Sequence, residues 1–244
     1  GLDPRKDVSW VVVAPEVMYW ALKGWLANIA PTLGIEATFV DATNLDAIRA
    51  AIRPGKTRMI WIETPANPLW GISDIAAVAE AAHQAGALLG VDSTVATPVL
   101  SQPIALGADI VMHSATKYLN GHSDIIAGAL LFARADALLD RAKSLRSGLG
   151  AVLSPFEASL LLRGMRTLHV RVAHQSASAM AIARHFAADR RVVEVLYPGL
   201  PGPGHNVAAK QMQGGFSGML SIRVAGGEAA AIAVAARVQL WKRA

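Results

Sequence analysis

Residues 91–124 read VDSTVATPVLSQPIALGADIVMHSATKYLNGHSD, and this stretch decides the predicted fold. It contains the end of one apolar run, LLGV at residues 88–91, and all of a second, IVMH at residues 110–113. Short and nearly continuous apolar runs are typical of strands that are buried on both faces of a parallel sheet. Ligands of such sheets bind beyond the carboxyl ends of the strands, so the polar residues after each run form the candidate site.

Strands and helices continue to alternate on both sides of this stretch. Strands are predicted at residues 8–14, 37–40, 58–63, 88–91, 110–113 and 127–132, and helices at residues 45–52 and 73–84. The second of these helices is predicted to begin with Ser73 as its cap. This order predicts an α/β fold with a mostly parallel sheet that is covered by helices.

The pattern becomes mainly helical from residue 154 onwards. Two helices are predicted at residues 154–162 and 168–188, joined at Arg163-Gly164. Two strands, at residues 192–197 and 219–224, and a last helix at residues 228–240 follow. We therefore expect a large domain over residues 1–163 and the beginning of a smaller α+β domain over residues 164–244.

The composition of the 244 residues excludes several classes of protein. The 23 basic and 18 acidic residues leave a net charge of +5, the basic residues do not cluster, and 6% of the residues are aromatic. Nucleic acid is therefore not an expected partner. The absence of cysteine excludes disulfide scaffolds, thiolate metal sites and a cysteine nucleophile.

Targeting signals are not apparent either. The longest apolar stretch, residues 125–133, is too short for a membrane span, which takes about 18–20 residues. The first residues, GLDPRKD, include neither an initiator Met nor the apolar core of a secretion signal. We expect a cytoplasmic protein that does not bind membranes, and a chain that is an internal fragment.

Common catalytic and nucleotide-binding motifs do not occur. The sequence has neither G-x-x-x-x-G-K-[ST] nor G-x-G-x-x-G, which argues against a nucleotide-binding domain. GHSDI at residues 121–125 lacks the final Gly of a nucleophile elbow, so serine-hydrolase chemistry is not expected. His113 and His122 have no third ligand at a suitable spacing, so no metal site is predicted.

A different set of polar residues follows the predicted strands. Asp92 follows one strand and Asn67 another, and the strand at residues 110–113 is followed by Ser114, Thr116 and Lys117. A carboxylate, a lysine and two hydroxyls in one site are the groups needed to hold pyridoxal phosphate. The lysine bonds to the aldehyde carbon, the carboxylate keeps the ring nitrogen protonated, and the hydroxyls bind the phosphate.

Residues 91–124 also strongly resemble a known family, the pyridoxal-phosphate enzymes of cysteine and methionine metabolism. The group includes cystathionine γ-synthase, cystathionine lyase, methionine γ-lyase and homoserine sulfhydrylase, and the most specific match is the string SATKY…GHSD. Four more segments match in family order: ETPANP at 63–68, LGAVLSPFEASLLLRGMRTL at 149–168, YPGLP at 197–201 and QMQGGFSGMLS at 211–221. The resemblance implies a fold-type I pyridoxal-phosphate transferase domain.

The resemblance implies a role for each matching residue of the predicted site. Lys117 is expected to hold the cofactor covalently and to move the α-proton of the substrate, while Asp92 pairs with the ring nitrogen. The remaining expected contacts are to the phosphate from Ser114 and Thr116, to the ring face from Thr94, and to the ring's 3-oxygen from Asn67.

Two motifs depart from the family pattern. The family's D-N-T is Asp92-Ser93-Thr94 here, which is expected to alter only local hydrogen bonding. The tyrosine of the family's Y-G-G-T corresponds to Tyr19, which is followed by Trp20. Tyr19 is expected to stack on the cofactor and to serve in catalysis. The alternative is a core aromatic residue, because an apolar run at helical spacing follows it.

Three further residues match the family pattern but are not among the predicted contacts of the cofactor. Glu63, in ETPANP, is expected to support the site without touching the cofactor. Arg163 and Arg171 match family arginines, and ordinary helix-terminal and interdomain ion pairs are expected for both.

The implied activity is elimination or γ-replacement on sulfur-containing or activated homoserine amino acids. The alternative is a non-catalytic, cofactor-binding scaffold of the same fold. Family resemblance also implies a homodimer or homotetramer with shared active sites. The family's phosphate-binding loop and the arginine that binds the substrate carboxylate have no match in the chain, so the isolated 244 residues are expected to be inactive.

Overall fold

The computed structural model describes residues 10–241, and its main element is a six-stranded sheet. The strands are β1 Trp10–Pro15, β2 Ile35–Val40, β3 Thr57–Glu63, β4 Leu88–Asp92, β5 Ile110–Ser114 and β6 Gly128–Phe132. They lie in the order β2-β1-β3-β4-β5-β6, and β1 to β5 are parallel. Only β6 runs antiparallel to its neighbour, β5. The predicted α/β class with a mostly parallel sheet is confirmed.

Nine α-helices occur among the described residues. They are α1 Trp20–Asn28, α2 Leu45–Ala51, α3 Ile75–Gln84, α4 Thr97–Leu100, α5 Ala137–Gly148, α6 Pro155–Met165, α7 Leu168–Ala187, α8 His205–Gln211 and α9 Gly227–Arg237. Four of them begin at a side chain that accepts a hydrogen bond from a first-turn amide, and these caps are Asn44, Asp74, Asp136 and Ser154. None of the helices within residues 10–241 is both long enough and apolar enough to cross a membrane.

Helices cover both faces of the sheet, as its apolar strands require. On one face, α2 and α3 pack against the middle strands, with Ile48, Ile75 and Val78 buried against Ile60 and Leu89. On the other face, α1 packs through Leu26 against a smaller cluster. The carboxyl ends of β3, β4 and β5 carry the polar residues Glu63, Asp92 and Ser114.

The C-terminal part is joined to the sheet domain through buried polar contacts. Its own sheet has two antiparallel strands, β7 Val192–Leu196 and β8 Ser221–Val224. The side chain of Gln211 is buried. Its Nε2 donates to the carbonyl oxygen of Ser73 at 3.0 Å, and its Oε1 accepts from the backbone amide of Ile75 at 3.2 Å. A side chain of α8 thus fixes the start of α3.

Several sequence predictions of element bounds need correction. The cap of α3 is Asp74 rather than Ser73, because the carboxylate of Asp74 accepts from the amide of Ala77 at 3.0 Å. Arg163 and Gly164 lie inside α6, which ends at Met165, and α7 begins at Leu168. The last helix ends at Arg237, three residues before the predicted end. The predicted start of the first strand, residues 8 and 9, lies outside the described residues.

The predicted division into domains at residues 163 and 164 stays a prediction. Helix α6 runs through this position, so the chain has no linker there. The sequence pattern predicts no helix at the positions of α4, α5 and α8, and none over the apolar run that forms α1.

Candidate active site

Three strand ends meet at one edge of the sheet. Glu63 ends β3, Asp92 ends β4 and Ser114 ends β5, and these strands are parallel neighbours. Glu63 and Asp92 are paired in register, so their side chains occupy equivalent positions on adjacent strands. The structure therefore brings the ends of three predicted strands together, with Lys117 three residues after the last of them.

Asp92 is a buried carboxyl group with a local hydrogen bond. Its side chain is 6% exposed, and Oδ1 accepts from the amide of Thr94 at 2.9 Å. Burial raises the pKa of Asp92, and the hydrogen bonds from Thr94 oppose this rise. The turn after β4 thus favours the ionised carboxylate in a place where water does not stabilise it.

Thr94 connects the turn after β4 to the end of β5. Its Oγ1 accepts from the amide of Ser114 at 2.8 Å. Ser93 is fully buried and its amide donates to the carbonyl oxygen of Met112 at 3.0 Å, which ties the same turn to β5 a second time. The carboxylate of Asp92 is therefore held at a fixed distance from the turn that carries Lys117.

The turn that carries Lys117 is held at both ends while its side chain stays exposed. The amide of Lys117 donates to the carbonyl oxygen of Ser114 at 3.1 Å, and its carbonyl oxygen accepts from the amide of Gly121 at 2.8 Å. The hydroxyl of Thr116 accepts from the amide of Ala127 at 2.9 Å, just before β6. The predicted phosphate contact of Thr116 therefore shares its oxygen with a backbone bond, whereas Ser114 is half-buried at the strand end.

Glu63 joins the two remaining predicted contacts of the cofactor. Its Oε2 accepts from the amide of Tyr19 at 2.8 Å and its Oε1 accepts from the amide of Asn67 at 3.0 Å. Burial, followed by the neighbouring charge of Asp92, raises the pKa of Glu63 to about 7. The motif around Glu63 predicts a supporting role, but the spacing of the residues does not indicate that its side chain reaches Tyr19.

Tyr19 is not a core aromatic residue. Its side chain is 48% exposed, and its ring centroid lies 5.7 Å from that of the exposed Trp20. The apolar run that suggested burial forms α1, which begins directly after Tyr19. Asn67 is exposed on the loop after β3, so the side chains of both residues are accessible at the carboxyl edge.

Arg171 differs from the sequence expectation. Within residues 10–241 it forms no ion pair, and its guanidinium donates to the carbonyl oxygens of Tyr118 at 2.9 Å and Gly164 at 2.8 Å. It thereby links the turn after Lys117 to the last turn of α6. Arg163 is exposed on α6. No sequence motif indicated this contact, because it joins residues that are 53 positions apart.

The two histidines near the lysine turn have packing and turn contacts. His113 is 2% exposed, and burial lowers its pKa. Nδ1 of His122 contacts the carbonyl oxygen of Asn120 at 2.7 Å. Within residues 10–241, no three His, Cys, Asp or Glu side chains form a group that is suited to a metal ion.

The residues at this edge fit pyridoxal phosphate. Among residues 10–241, Asp92 forms no ion pair, so its buried carboxyl group can offer negative charge to a cationic ring nitrogen. Lys117 adds an accessible amine and Ser114 a hydroxyl on the adjoining strand. A carboxylate, an amine and hydroxyls at one sheet edge form the donor set that this cofactor requires.

Comparison with known proteins agrees with this arrangement. Residues 9–244 match the family model described as Cys/Met metabolism PLP-dependent enzyme. Cystathionine gamma-synthase of Mycobacterium leprae is 43% identical over 232 residues, which cover 94% of the chain and 59% of that protein. Cystathionine gamma-lyase of Dictyostelium discoideum is 42% identical over 216 residues, which cover 88% of the chain and 55% of that protein.

Solved structures are similar over most of the chain. The crystal structure of metB from Corynebacterium glutamicum superposes with a TM-score of 0.93 at 40% identity and covers 97% of this chain and 61% of that one. Cystathionine gamma-lyase from Lactobacillus plantarum, complexed with L-serine, gives 0.87 at 36% identity, with 91% of this chain and 57% of that one covered. The chain thus spans about three fifths of the length of these relatives, and it belongs to the family of pyridoxal-phosphate-dependent enzymes of cysteine and methionine metabolism.

Proposed function

We propose that the complete protein carrying this chain is a transsulfuration enzyme. It would catalyse elimination or γ-replacement on sulfur-containing or activated homoserine amino acids. The observation that carries the proposal is the buried, ion-pair-free Asp92 at the same sheet edge as the turn of the accessible Lys117. Relatives named cystathionine gamma-synthase, gamma-lyase and beta-lyase support this reaction class.

The residues of the chain have complementary tasks in this proposal. The cofactor supplies an electron sink that stabilises negative charge at the α-carbon of a bound amino acid. The negative charge of Asp92 would bind the protonated ring nitrogen. The hydrogen bond that its carboxylate accepts from the amide of Thr94 keeps the carboxylate aligned. Lys117 anchors the cofactor and moves the α-proton through Nζ, because its turn is fixed while its side chain is free to reach.

The proposal also gives a role to the other predicted contacts of the cofactor. Tyr19 and Asn67 are accessible at the edge, and Ser114 and Thr116 are the proposed phosphate ligands. Thr94 is the proposed contact of the ring face, through the part of its side chain that is not engaged with Ser114.

The test is Lys117→Ala in the complete protein. We expect this variant to lose the visible absorbance of the covalently held cofactor and to lose turnover by several orders of magnitude, since Lys117 has two tasks. Lys56→Ala, an exposed lysine just before β3, is the matched control and keeps both signals. Turnover and visible absorbance that persist in Lys117→Ala would exclude the assignment.

Elimination and γ-replacement share these residues, so product analysis must separate them. Release of a keto acid from cystathionine indicates elimination, and formation of cystathionine from an activated homoserine indicates replacement. A complete protein that retains the cofactor but gives neither product is instead the non-catalytic scaffold. The isolated 244 residues are expected to be inactive in both assays.

We also propose a homodimeric or homotetrameric assembly. It is supported by a group of exposed apolar side chains on and around α5 and α6, and these are Leu145, Leu149, Val152, Phe156 and Leu162. Helix α5 buries none of its residues within the described chain. A cytoplasmic location is a further part of the proposal, and cell fractionation tests it.

A further inference from the structure

The carboxylate of Glu63 uses its two oxygens for two separate segments of the chain. Oε2 accepts from the amide of Tyr19, 44 residues away, and Oε1 accepts from the amide of Asn67, four residues away. The side chain is 6% exposed, so water does not compete for either bond. One buried side chain thus sets the distance between the loop before α1 and the loop after β3.

The start of α1 depends on this contact because the helix has no cap of its own. Tyr19 occupies the cap position without a side-chain hydrogen bond to the first turn, and the first turn has no acidic residue. A helix without a cap residue leaves the amides of its first turn without side-chain partners and is less stable for that reason. The backbone amide of Tyr19 instead donates its hydrogen bond to the carboxylate of Glu63, at the end of β3.

We propose that Glu63 is a positioning residue of the cofactor site, whose ionised carboxylate holds the backbones of Tyr19 and Asn67 and so places the two side chains that border the cofactor. This inference rests on the proposed function only for the identity of the ligand. Glu63 itself need not touch the cofactor or the substrate.

The charge of Glu63 depends on pH near neutrality. Burial and the carboxylate of Asp92 raise its pKa to about 7, while the two amide bonds lower it. Asp92 on β4 is the only charged group within residues 10–241 that shifts this pKa, since the partners on the other two segments are backbone amides. Protonation converts one oxygen into a hydroxyl, which is a weaker acceptor, so one of the two bonds weakens.

The decisive variant is Glu63→Gln in the complete protein. A glutamine has the same shape but only one acceptor oxygen, and its NH₂ group faces the other amide. We expect its Kd for pyridoxal phosphate at pH 8, measured by equilibrium dialysis, to rise about tenfold to a hundredfold, the range for a lost hydrogen bond to a charged group. The difference from the unsubstituted protein should shrink at pH 6, where Glu63 is protonated.

Two controls separate positioning from general destabilisation. Glu80→Gln changes an exposed carboxylate of α3 and should leave the Kd unchanged at both pH values. Glu63→Asp keeps the charge but is one methylene too short to reach both amides, and it should weaken binding as Glu63→Gln does. A purely structural role would give a defect in cofactor binding that is the same at pH 6 and pH 8.

Hydrogen exchange tests the same contact without any substitution. In the cofactor-free complete protein, peptides over residues 16–28 and 63–70 should lose protection at pH 6 relative to pH 8, after correction for intrinsic exchange. Equal protection, or an unchanged Kd in Glu63→Gln, would overturn the inference. A protein that binds no pyridoxal phosphate but shows the exchange effect would instead refute the proposed function alone.

Discussion

Glu63 and Asp92 place two carboxyl groups side by side where little water reaches them. Their strands are paired in register, and each side chain is 6% exposed. Burial is the largest cause of the raised pKa at both residues, and for Glu63 the neighbouring Asp92 is the second. A pair of this kind is unfavourable in the empty protein and becomes favourable when a cation is bound, which is typical of a binding site rather than of a stabilising core.

This arrangement has a consequence for the stability of the cofactor-free complete protein. Between pH 4.5 and about 7, the folded state keeps the proton of Glu63 and the unfolded state loses it. The free energy of unfolding should therefore fall as the pH rises through this window, by roughly 3 kcal/mol from Glu63. In Glu63→Gln, the part of the pH dependence that comes from Glu63 is absent. Urea unfolding at several pH values measures the free energy of unfolding of both proteins.

Glu36 provides the control for this prediction. The hydrogen bond from Arg53 lowers the pKa of Glu36 in the folded state below its ordinary value of 4.5, so Glu36 does not take up a proton on folding between pH 5 and pH 7. Glu36→Gln should leave the slope between pH 5 and pH 7 as it is in the unsubstituted protein. A slope that Glu63→Gln shares with the unsubstituted protein would contradict the prediction.

At the residue scale, the sequence predicts which residues stand at the edge but not how they are held. Asp92 and Lys117 follow apolar strands, and parallel strands end at a common edge, so their proximity follows from topology. The bond between Thr116 and Ala127 depends on how a loop folds back, and the bond from Glu63 to Tyr19 spans 44 residues. No local pattern encodes either contact.

At the element scale, the strands are predicted well because burial on both faces leaves a clear apolar run. The antiparallel direction of β6 is not predictable from its sequence, because an apolar run looks the same in a parallel and in an antiparallel strand. Residues 115–127 contain no helix, and parallel neighbours need a crossover that is usually helical, so this loop is consistent with an antiparallel return. Helix α5 was missed because it presents no buried stripe to the rest of the chain.

Helix α6 approaches the turn after Lys117 so closely that a side chain has no room. A Cβ on Gly164 would lie 2.2 Å from the carbonyl oxygen of Asn120, which is backbone and cannot rotate away. The nearby Arg171 binds the carbonyl oxygens of Gly164 and Tyr118, so α6, α7 and this turn form one packed unit. The position of the lysine turn therefore depends on this glycine.

Gly164→Ala tests this close approach. We expect it to lower the free energy of unfolding by about 1–3 kcal/mol, the usual cost of overpacking, because the helix or the turn must shift. Urea unfolding of the complete protein measures the change.

Gly148→Ala is the control for a glycine in a helix. Gly148 is the last residue of α5, and a Cβ at that position would meet no atom within 4 Å apart from its chain neighbours and the backbone of its own helix. The substitution should be neutral or stabilising by up to about 1 kcal/mol, since alanine favours helix. If Gly164→Ala and Gly148→Ala behave alike, the contact does not constrain the turn.

At the scale of the whole molecule, the apolar surface is unevenly distributed. The central strands β3, β4 and β5 are largely buried, but α5 and α6 leave several large apolar side chains exposed, among them Leu149 at 79% and Phe156 at 72%. Large apolar side chains that are exposed at several nearby positions of the chain favour an interaction surface. The proposed homo-oligomer provides a cover for this surface.

Phe156→Asp tests whether this surface joins copies of the complete protein. Phe156 lies in the first turn of α6, where an acidic residue favours the helix, so the substitution leaves the protomer folded. We expect the dissociation constant of the assembly, measured by sedimentation velocity over a range of concentrations, to rise about thirtyfold or more, as for loss of an aromatic anchor of about 2 kcal/mol. Val193→Asp, at an equally exposed position of β7, should leave assembly unchanged. If Phe156→Asp assembles as tightly as the unsubstituted protein, the contact between copies lies elsewhere and the apolar side chains of α5 and α6 face another part of the chain.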